Sequence, residues 1–465
     1  MHVAHDNLAK GNRGGTLKVS AIVTIVLLAI LVCFGSALRY QAFSESVVDK
    51  YPHGDAARFL VYAYNLKNFG VYSKSDLTLL PADTDVAVAR NMLRPDGVVT
   101  PGYPMFLSRF LGGEYTEKQR DRILFAQVVL SSFTIFLIYL AFAPVSRILG
   151  LGAAALTALS PHLVNMNLFF LSEPLFCFLL VGFVWLLSFL RADATWPLFI
   201  LIGILFAMTS LTRPWIQAYL FILIPFLIFS TAQVPVKKAL LIFVGAAILF
   251  TPWMIRNQTL PGTDSDPSLY VISFQHGMYP GMMYEDQAES LGYAYQFDPK
   301  SAELGTSIGK TLAELKRRAI EEPAKYLSWY LAGKAKSVLS WKMIAAADSV
   351  FVYHAQNSPY FSSPVFYLSS YYMEKIHGPL MVLAIVGLAL VWLPARLQPV
   401  SQEGLLLARA MSLLVLYFLI AHSVVAPYPR YSVPIRPILY GLSLFPVFFL
   451  VQYTRRVVGK AKQRV

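Results

Sequence analysis

Charge is what this sequence has least of. Asp, Glu, Lys and Arg make up only 14% of its 465 residues, against about 25% in soluble globular chains. That shortage excludes an ordinary soluble domain of this length. Cysteine is nearly absent: Cys33 and Cys177 both fall inside apolar runs, so the polar segments have no disulfide framework. His53, His162, His276, His354, His377 and His422 show no metal-type spacing such as HExxH. Neither an internal repeat nor a low-complexity tract appears, whereas a transporter built from inverted repeats shows matched halves.

Apolar length is what the sequence has in abundance. Hydrophobic residues reach 56% and the mean hydropathy is +0.54. The runs are close to the ~20 residues that cross a ~30 Å hydrocarbon core. The fold class is therefore an all-α polytopic membrane protein with about ten transmembrane helices (ten to twelve). It carries two long extracytoplasmic loops with interfacial helices. The spans are 17–38, 122–142, 148–164, 173–190, 196–211, 215–232, 239–255, 378–395, 409–426 and 433–452. The third and fifth are short and read as tilted or partly re-entrant. The first is too long for a cleaved signal peptide, and Ser36-Ala37-Leu38-Arg39 is a poor cleavage site.

Charge counting orients the chain. Segments 1–18, 143–147, 191–195, 233–238, 396–409 and 453–465 hold fourteen cations against three acids. Loops 39–120 and 256–376 are nearly balanced, with ten cations to nine acids and eleven to twelve. This is the positive-inside pattern, from which long translocated loops are exempt. Both termini are then cytoplasmic, and topology accounts for most of the net charge of +13 without a nucleic-acid partner. The organisation is a cytoplasmic tail (1–16), a transmembrane module (17–255) containing the first outer loop (39–120), a second outer loop (256–376), and C-terminal spans with a basic tail (377–465).

The loops are not simple connections. Asp55 to Phe69 reads as a helix with Phe59, Tyr62, Ala63 and Leu66 on one face and Gly70 as its stop. Thr100-Pro-Gly-Tyr103-Pro104 breaks the chain before Met105–Leu111. In the second loop, a Gly-, Tyr- and Met-rich stretch through Asp298 precedes a helix bearing Lys316, Arg317 and Arg318. Pro323–Met343 is amphipathic and suited to the membrane interface, with Lys325, Lys334, Lys336 and Lys342 among its aromatics.

The polar residues that stand out against the apolar runs as candidates for chemistry fall on the outer side. Asp55 opens the first loop, Glu173 begins a span beside Pro174, and Arg213 and Arg256 end two others. Arg430, Tyr431 and Arg436 lie between the last two. Ionisable groups at membrane depth are costly and mark a functional cavity. A sugar on lipid phosphate needs no general acid, because phosphate leaves as an anion. It needs arginines to grip that phosphate and a carboxylate to take the acceptor proton. Asp55 is the candidate catalytic base, and Arg213, Arg256 and Arg430 are the candidate phosphate ligands. Glu173, Tyr103, Tyr431, Arg436 and His53 are supporting or substrate-binding candidates. No cofactor is required by this reading, which leaves a divalent metal open. Each residue also has a plainer role. Asp55 is favoured at any helix start by about 0.3–1 kcal/mol, the arginines snorkel to headgroups, and Glu173 is a first-turn acid.

The ordered set of motifs resembles a known group. Gly54-Asp55, Tyr62-Ala63, Asn65-Leu66, Gly70-Val-Tyr72-Ser73 and Pro101-Gly-Tyr-Pro104 resemble the first outer loop of the GT-C superfamily. Ser172-Glu173-Pro174-Leu175-Phe176, Leu211-Thr-Arg-Pro214, Pro252-Trp253, Arg256-Asn257 and Arg430-Tyr431 with Pro434 and Pro437 continue the likeness. More narrowly it is similar to bacterial relatives of protein O-mannosyltransferase and lipid A aminoarabinose transferase, over roughly residues 15–455. The resemblance implies inverting transfer from a polyprenyl-phosphate sugar to a lipid, glycan or protein hydroxyl at the outer face of a bacterial inner membrane. It also places the first-loop acid at the reacting centre. The double acid of the mannosyltransferases is absent, since Ala56 follows Asp55, and ten spans is below the usual eleven or more. The alternatives are a polysaccharide polymerase or ligase, with its key arginines and histidine in the late loop, and a lipid-linked-sugar transporter.

The topology is testable. A reporter fused after Gly70 or Gly292 should read outside, and one after Lys238 or Val465 inside. An outside reading at Val465 would mean that Pro323–Met343 crosses the membrane.

Overall fold

The computed structural model describes residues 2–48, 52, 54–76, 86–230, 234–260, 269–282, 293–343 and 350–462, with side chains from Ala21 onward. Among the described residues, six helices are long and apolar enough to cross a membrane: Ala21–Glu45, Glu117–Phe142, Val236–Gln258, Pro364–Leu390, Gln402–Val424 and Pro429–Arg456. Arg147–Leu159 and Pro161–Leu168 form a seventh candidate, bent by 58° where Pro161 interrupts the backbone hydrogen bonds. Glu173–Leu187, Trp196–Thr212 and Pro214–Phe229 are shorter apolar helices.

Helix boundaries follow local chemistry. Thr116 caps Glu117–Phe142 in a reciprocal box: its hydroxyl accepts from the Gln119 amide at 3.3 Å, and the Gln119 side chain accepts from the Thr116 amide at 3.1 Å. Prolines occupy the first turns of Glu173–Leu187 and Trp196–Thr212, where no amide donor is needed. Trp196–Thr212 and Val236–Gln258 approach to backbone contact. A Cβ on Gly203 would lie 2.1 Å from the Ile242 carbonyl, and one on Gly245 would lie 2.2 Å from that of Ile200. Small residues at such crossings let helices pack closely without help from water.

The first-loop helix is Asp55–Phe69, as its periodicity predicts, and it ends on Gly70 with φ 68°. It buries Ala56, Tyr62, Ala63 and Asn65. Two expectations change. The structure is not purely helical: Val47–Val48 pairs antiparallel with Ala355–Asn357, joining the start of the first loop to the end of the second. Pro323–Met343 is not one amphipathic helix but Pro323–Ser328, a π-helical turn Trp329–Gly333 and Lys334–Val338. Lys334 is buried rather than snorkelling.

Arg256 fastens the first loop to the bundle. Its Nη1 donates to the Asp96 carbonyl at 2.5 Å and to Asn257 Oδ1 at 2.8 Å, and Nη2 donates to the Tyr72 carbonyl at 3.0 Å. The Asp96 carboxylate accepts from the Tyr62 hydroxyl and from the Lys74 and Val98 amides. The Arg256 guanidinium also packs on Tyr72 and Trp253. Arg256→Ala should therefore destabilise the protein by about 1–3 kcal/mol, the cost of leaving buried acceptors unpaired. It should also speed protease cleavage between Val71 and Thr100. Unchanged cleavage with a selective loss of phosphate binding would return Arg256 to the phosphate-binding set.

Candidate functional site

The site begins with a bend that only glycine makes cheaply. Gly54 has φ 58° and ψ −130°, a conformation that strains a residue carrying a Cβ. This bend turns the chain onto the first-loop helix with Asp55 at its opening. The Tyr353 hydroxyl lies 3.5 Å from where a Gly54 Cβ would stand and accepts from the Ala56 amide. One free N–H of the helix start is thereby satisfied.

From Asp55 a chain of alternating charges runs inward. Asp55 Oδ2 accepts from Arg430 Nη2, and Arg58 Nη1 stands 3.9 Å from Oδ1. Arg430 Nε lies 4.0 Å from Glu173 Oε1, which is 2.7 Å from Arg213 Nη1. Four separate elements contribute. Asp55 comes from the first loop and Glu173 from the first turn of Glu173–Leu187. Arg213 is the extended residue that ends Trp196–Thr212, and Arg430 lies in the 3₁₀ segment Pro429–Ile435. Exposure drops inward from 35% for the Asp55 side chain to 19% for Arg430 and 2% for Glu173, and Arg213 at the far end is 14% exposed. The Tyr431 ring lies under both arginines, 4.9 Å from Arg213 and 5.6 Å from Arg430.

Buried ion pairs are poor stabilisers, because desolvating both charges costs about what their attraction returns. Their presence here is better explained by a ligand. Although Glu173 Oε1 and Arg213 Nη1 are close, their alignment leaves both atoms without a hydrogen bond. Three arginines against two acids give the cluster an excess of one positive charge, suited to an anion. Loss of water from around Asp55 opposes its ionisation. Arg430, then Arg58 and Arg213, more than offset that and hold its carboxyl below the usual carboxylate range.

The remaining candidates sit elsewhere. Tyr103 is buried beneath the first-loop helix, and its hydroxyl donates to Gln127 Oε1 at 2.6 Å. Arg436 lies in the core, donating to His162 Nδ1 at 2.6 Å and to the Ser340 carbonyl at 2.8 Å. Arg256 anchors the first loop, as described above, and makes no contact with the Asp55 cluster. His53 lies outside the described residues. Among the described residues, no three His, Cys, Asp or Glu side chains gather as a metal set.

Sequence reasoning missed Arg58, Tyr353 and an aromatic wall from the second loop. Tyr293 and Tyr295 stack at 5.5 Å, Tyr295 stacks on His276 at 3.6 Å, and Tyr428 meets Tyr293 and Tyr431 edge-on. Burial lowers the His276 pKa to about 4, so its ring is neutral, and its Nδ1 pairs with the Tyr428 hydroxyl at 2.8 Å. The signal for this wall was the tyrosine density of the second loop, which carries no period to reveal which rings meet.

Residues 111–255 match the model of the dolichyl-phosphate-mannose-protein mannosyltransferase family. That segment holds Glu173 and Arg213, while Asp55 and Arg430 lie outside it. The match covers less than a third of the chain and agrees with the resemblance to the GT-C superfamily of membrane glycosyltransferases. The oligosaccharyltransferase AglB of the archaeon Archaeoglobus fulgidus, solved with an inhibitory peptide and a dolichol-phosphate, superposes with a TM-score of 0.50 at 13% identity. That match covers 95% of this chain and 52% of AglB. An A. fulgidus oligosaccharyltransferase tethered to an acceptor peptide gives 0.49 at 14% identity, covering 93% and 50%. The chain thus spans about half the length of those solved structures, and at 13% identity the likeness to AglB is one of fold. No curated protein matches it.

The charge chain makes a pH prediction. A carboxyl held below its usual range stays ionised until pH falls through the lowered value, so an Asp55-dependent activity should lose its acid limb below the ordinary carboxylate range. Arg430→Gln should move that limb to higher pH, and Arg58→Gln should move it less. Superimposable limbs in kcat/KM–pH profiles of all three proteins, which report the unliganded protein, would show that the arginines do not tune Asp55.

Proposed function

We propose that this chain is an inverting glycosyltransferase that moves a sugar from a polyprenyl-phosphate donor to a hydroxyl acceptor at the extracytoplasmic face of a bacterial inner membrane. The carrying observation is the Asp55–Arg430–Glu173–Arg213 chain, which brings one accessible carboxylate and two arginines together from four elements. The family match is to enzymes named for dolichyl-phosphate-mannose, and a solved structure of like fold holds a dolichol-phosphate. Both agree with a lipid-phosphate donor.

In this reading the donor phosphate displaces the Asp55 carboxylate from Arg430 and lies between Arg430 and Arg213, where guanidinium groups pair with two phosphate oxygens at once. Asp55, released but still close, accepts the proton of the acceptor hydroxyl. The acceptor oxygen bonds to the anomeric carbon as the carbon–oxygen bond to phosphate breaks. That electron pair stays on the polyprenyl phosphate, whose growing charge the arginines stabilise. Glu173 keeps Arg213 aligned, and Tyr431 supports both guanidinium planes. Arg256 enters as the anchor of the loop that carries the base. A lipid, glycan or protein acceptor is compatible with this scheme, and both termini are placed in the cytoplasm.

Asp55→Asn retains size but cannot take a proton. It should insert and bind polyprenyl phosphate normally while turnover drops by about 10²–10⁴, the usual share of general-base catalysis. Asp55→Glu should recover part of that loss. Arg213→Ala and Arg430→Ala should weaken polyprenyl phosphate binding more than Arg147→Ala or Arg396→Ala. Wild-type turnover in Asp55→Asn at saturating substrate would make Asp55 a helix-start residue only and pass the base role to Glu173. Transport of a lipid-linked sugar without transfer would favour the transporter reading.

A further inference from the structure

The segment that leads into Arg430 is held almost entirely by the second outer loop. The amide of Ala426 donates to the Ser273 carbonyl at 2.8 Å, and Gly277 packs against the Val425 backbone. On the other side, the Ser337 hydroxyl donates to the Pro427 carbonyl at 3.1 Å. Between these contacts lies Lys334, only 1% exposed, whose Nζ donates to the carbonyls of Val424 and Val425, each at 3.2 Å. These are the last carbonyls of Gln402–Val424, which have no partner within their own helix and carry the negative end of its dipole. Within the second loop, Trp329 joins the two sides of this clamp by donating from Nε1 to the Gly277 carbonyl at 3.0 Å. The π-helical turn Trp329–Gly333 immediately precedes Lys334, and such turns commonly mark functional sites.

We propose that Lys334 is a positioning residue for Arg430: its ammonium group ties the end of Gln402–Val424 to the second outer loop and so fixes the turn from which Arg430 reaches Asp55. The proposal rests on the reading of Arg430 as a phosphate ligand. A lysine this buried needs a reason. Among the described residues, no carboxylate lies within ion-pair distance of it. Its other neighbours are the Tyr330 ring at 4.2 Å and, on the packed helix, His422, which itself senses Arg213. Burial lowers the Lys334 pKa to about 7. The ammonium form that binds carbonyls most strongly is therefore present below neutrality and lost above it, so the grip on the turn weakens as pH rises.

The test uses the purified full-length protein in detergent, with farnesyl phosphate as probe, at about pH 6 and about pH 8.5, on either side of the lowered lysine value and well below the ordinary one. At the lower pH, Lys334→Met should speed amide hydrogen exchange across residues 424–431 while leaving Ile308–Glu321 unchanged. It should also weaken farnesyl phosphate binding by roughly three- to thirty-fold, the range for a residue acting through its neighbours. Lys334→Arg keeps its charge at both pH values. It should match wild type at the lower pH and bind more tightly than wild type at the higher one. Comparing proteins at the same pH cancels the ionisation of the probe. Ser337→Ala, a milder cut in the same clamp, should shift exchange in the same direction without a new pH dependence. Wild-type exchange in Lys334→Met, or an arginine-to-wild-type affinity ratio that is independent of pH, would overturn the proposal. If wild type binds no farnesyl phosphate, the phosphate reading of Arg430 fails, and the exchange data alone decide the clamp.

Discussion

Everything at this site depends on keeping charge where charge is expensive. Glu173 and Arg213 lie in a bundle of Leu, Phe, Ile and Val with little access to water. There an unpaired ion costs several kcal/mol, so each must have an opposite charge at hand. The alternation from Asp55 through Arg430 and Glu173 to Arg213 meets that demand, and it has a structural consequence. The first loop, two apolar helices and the segment after Gln402–Val424 are all required to meet at one point. Removing Glu173 leaves Arg213 with no acid beside it among the described residues.

The outer loops are built to serve that meeting point. Arg256 and Asp96 fold the first loop onto the bundle, so that Gly54 can deliver Asp55 to its helix start. The second loop supplies Tyr353 beneath that start and the aromatic wall beside Arg430. The short ribbon of Val47–Val48 with Ala355–Asn357 links the two loops where both leave the bundle. The polar segments are thus part of the same packed unit as the apolar helices.

Much of this was legible in the sequence wherever a local rule suffices. The Asp55–Phe69 helix and its glycine stop follow from periodicity, and the apolar runs 122–142, 239–255 and 433–452 fall on helices long and apolar enough to cross a membrane. What the sequence did not separate were the arginines. Arg213, Arg256, Arg430 and Arg436 carry the same signal, a cation at the end of an apolar run, yet only Arg213 and Arg430 meet the acids. Arg256 binds carbonyls of the first loop, and Arg436 faces His162 in the core. Sorting them requires contacts between residues on different helices and loops, 375 positions apart for Arg430 and Asp55, which no local pattern encodes. Lys334 misled for a related reason. Lysines on an amphipathic segment ordinarily reach for water, and only the free carbonyls of another helix make burial tolerable here. Pro323–Met343 read as one helix because periodicity does not register a π turn.

The backbone contact between Gly203 and Gly245 bears on how the protein sits in its solvent. Arg213 ends one of these helices and Arg256 ends the other, and with no side chain between them the pair behaves as a single stiff beam. The arginine of the site and the hook that suspends the first loop therefore share one frame. When lipid composition thickens or thins the surrounding bilayer and the helices tilt to follow it, that frame turns as a whole. Such a turn carries Arg213 and the anchor of the Asp55 loop in the same direction.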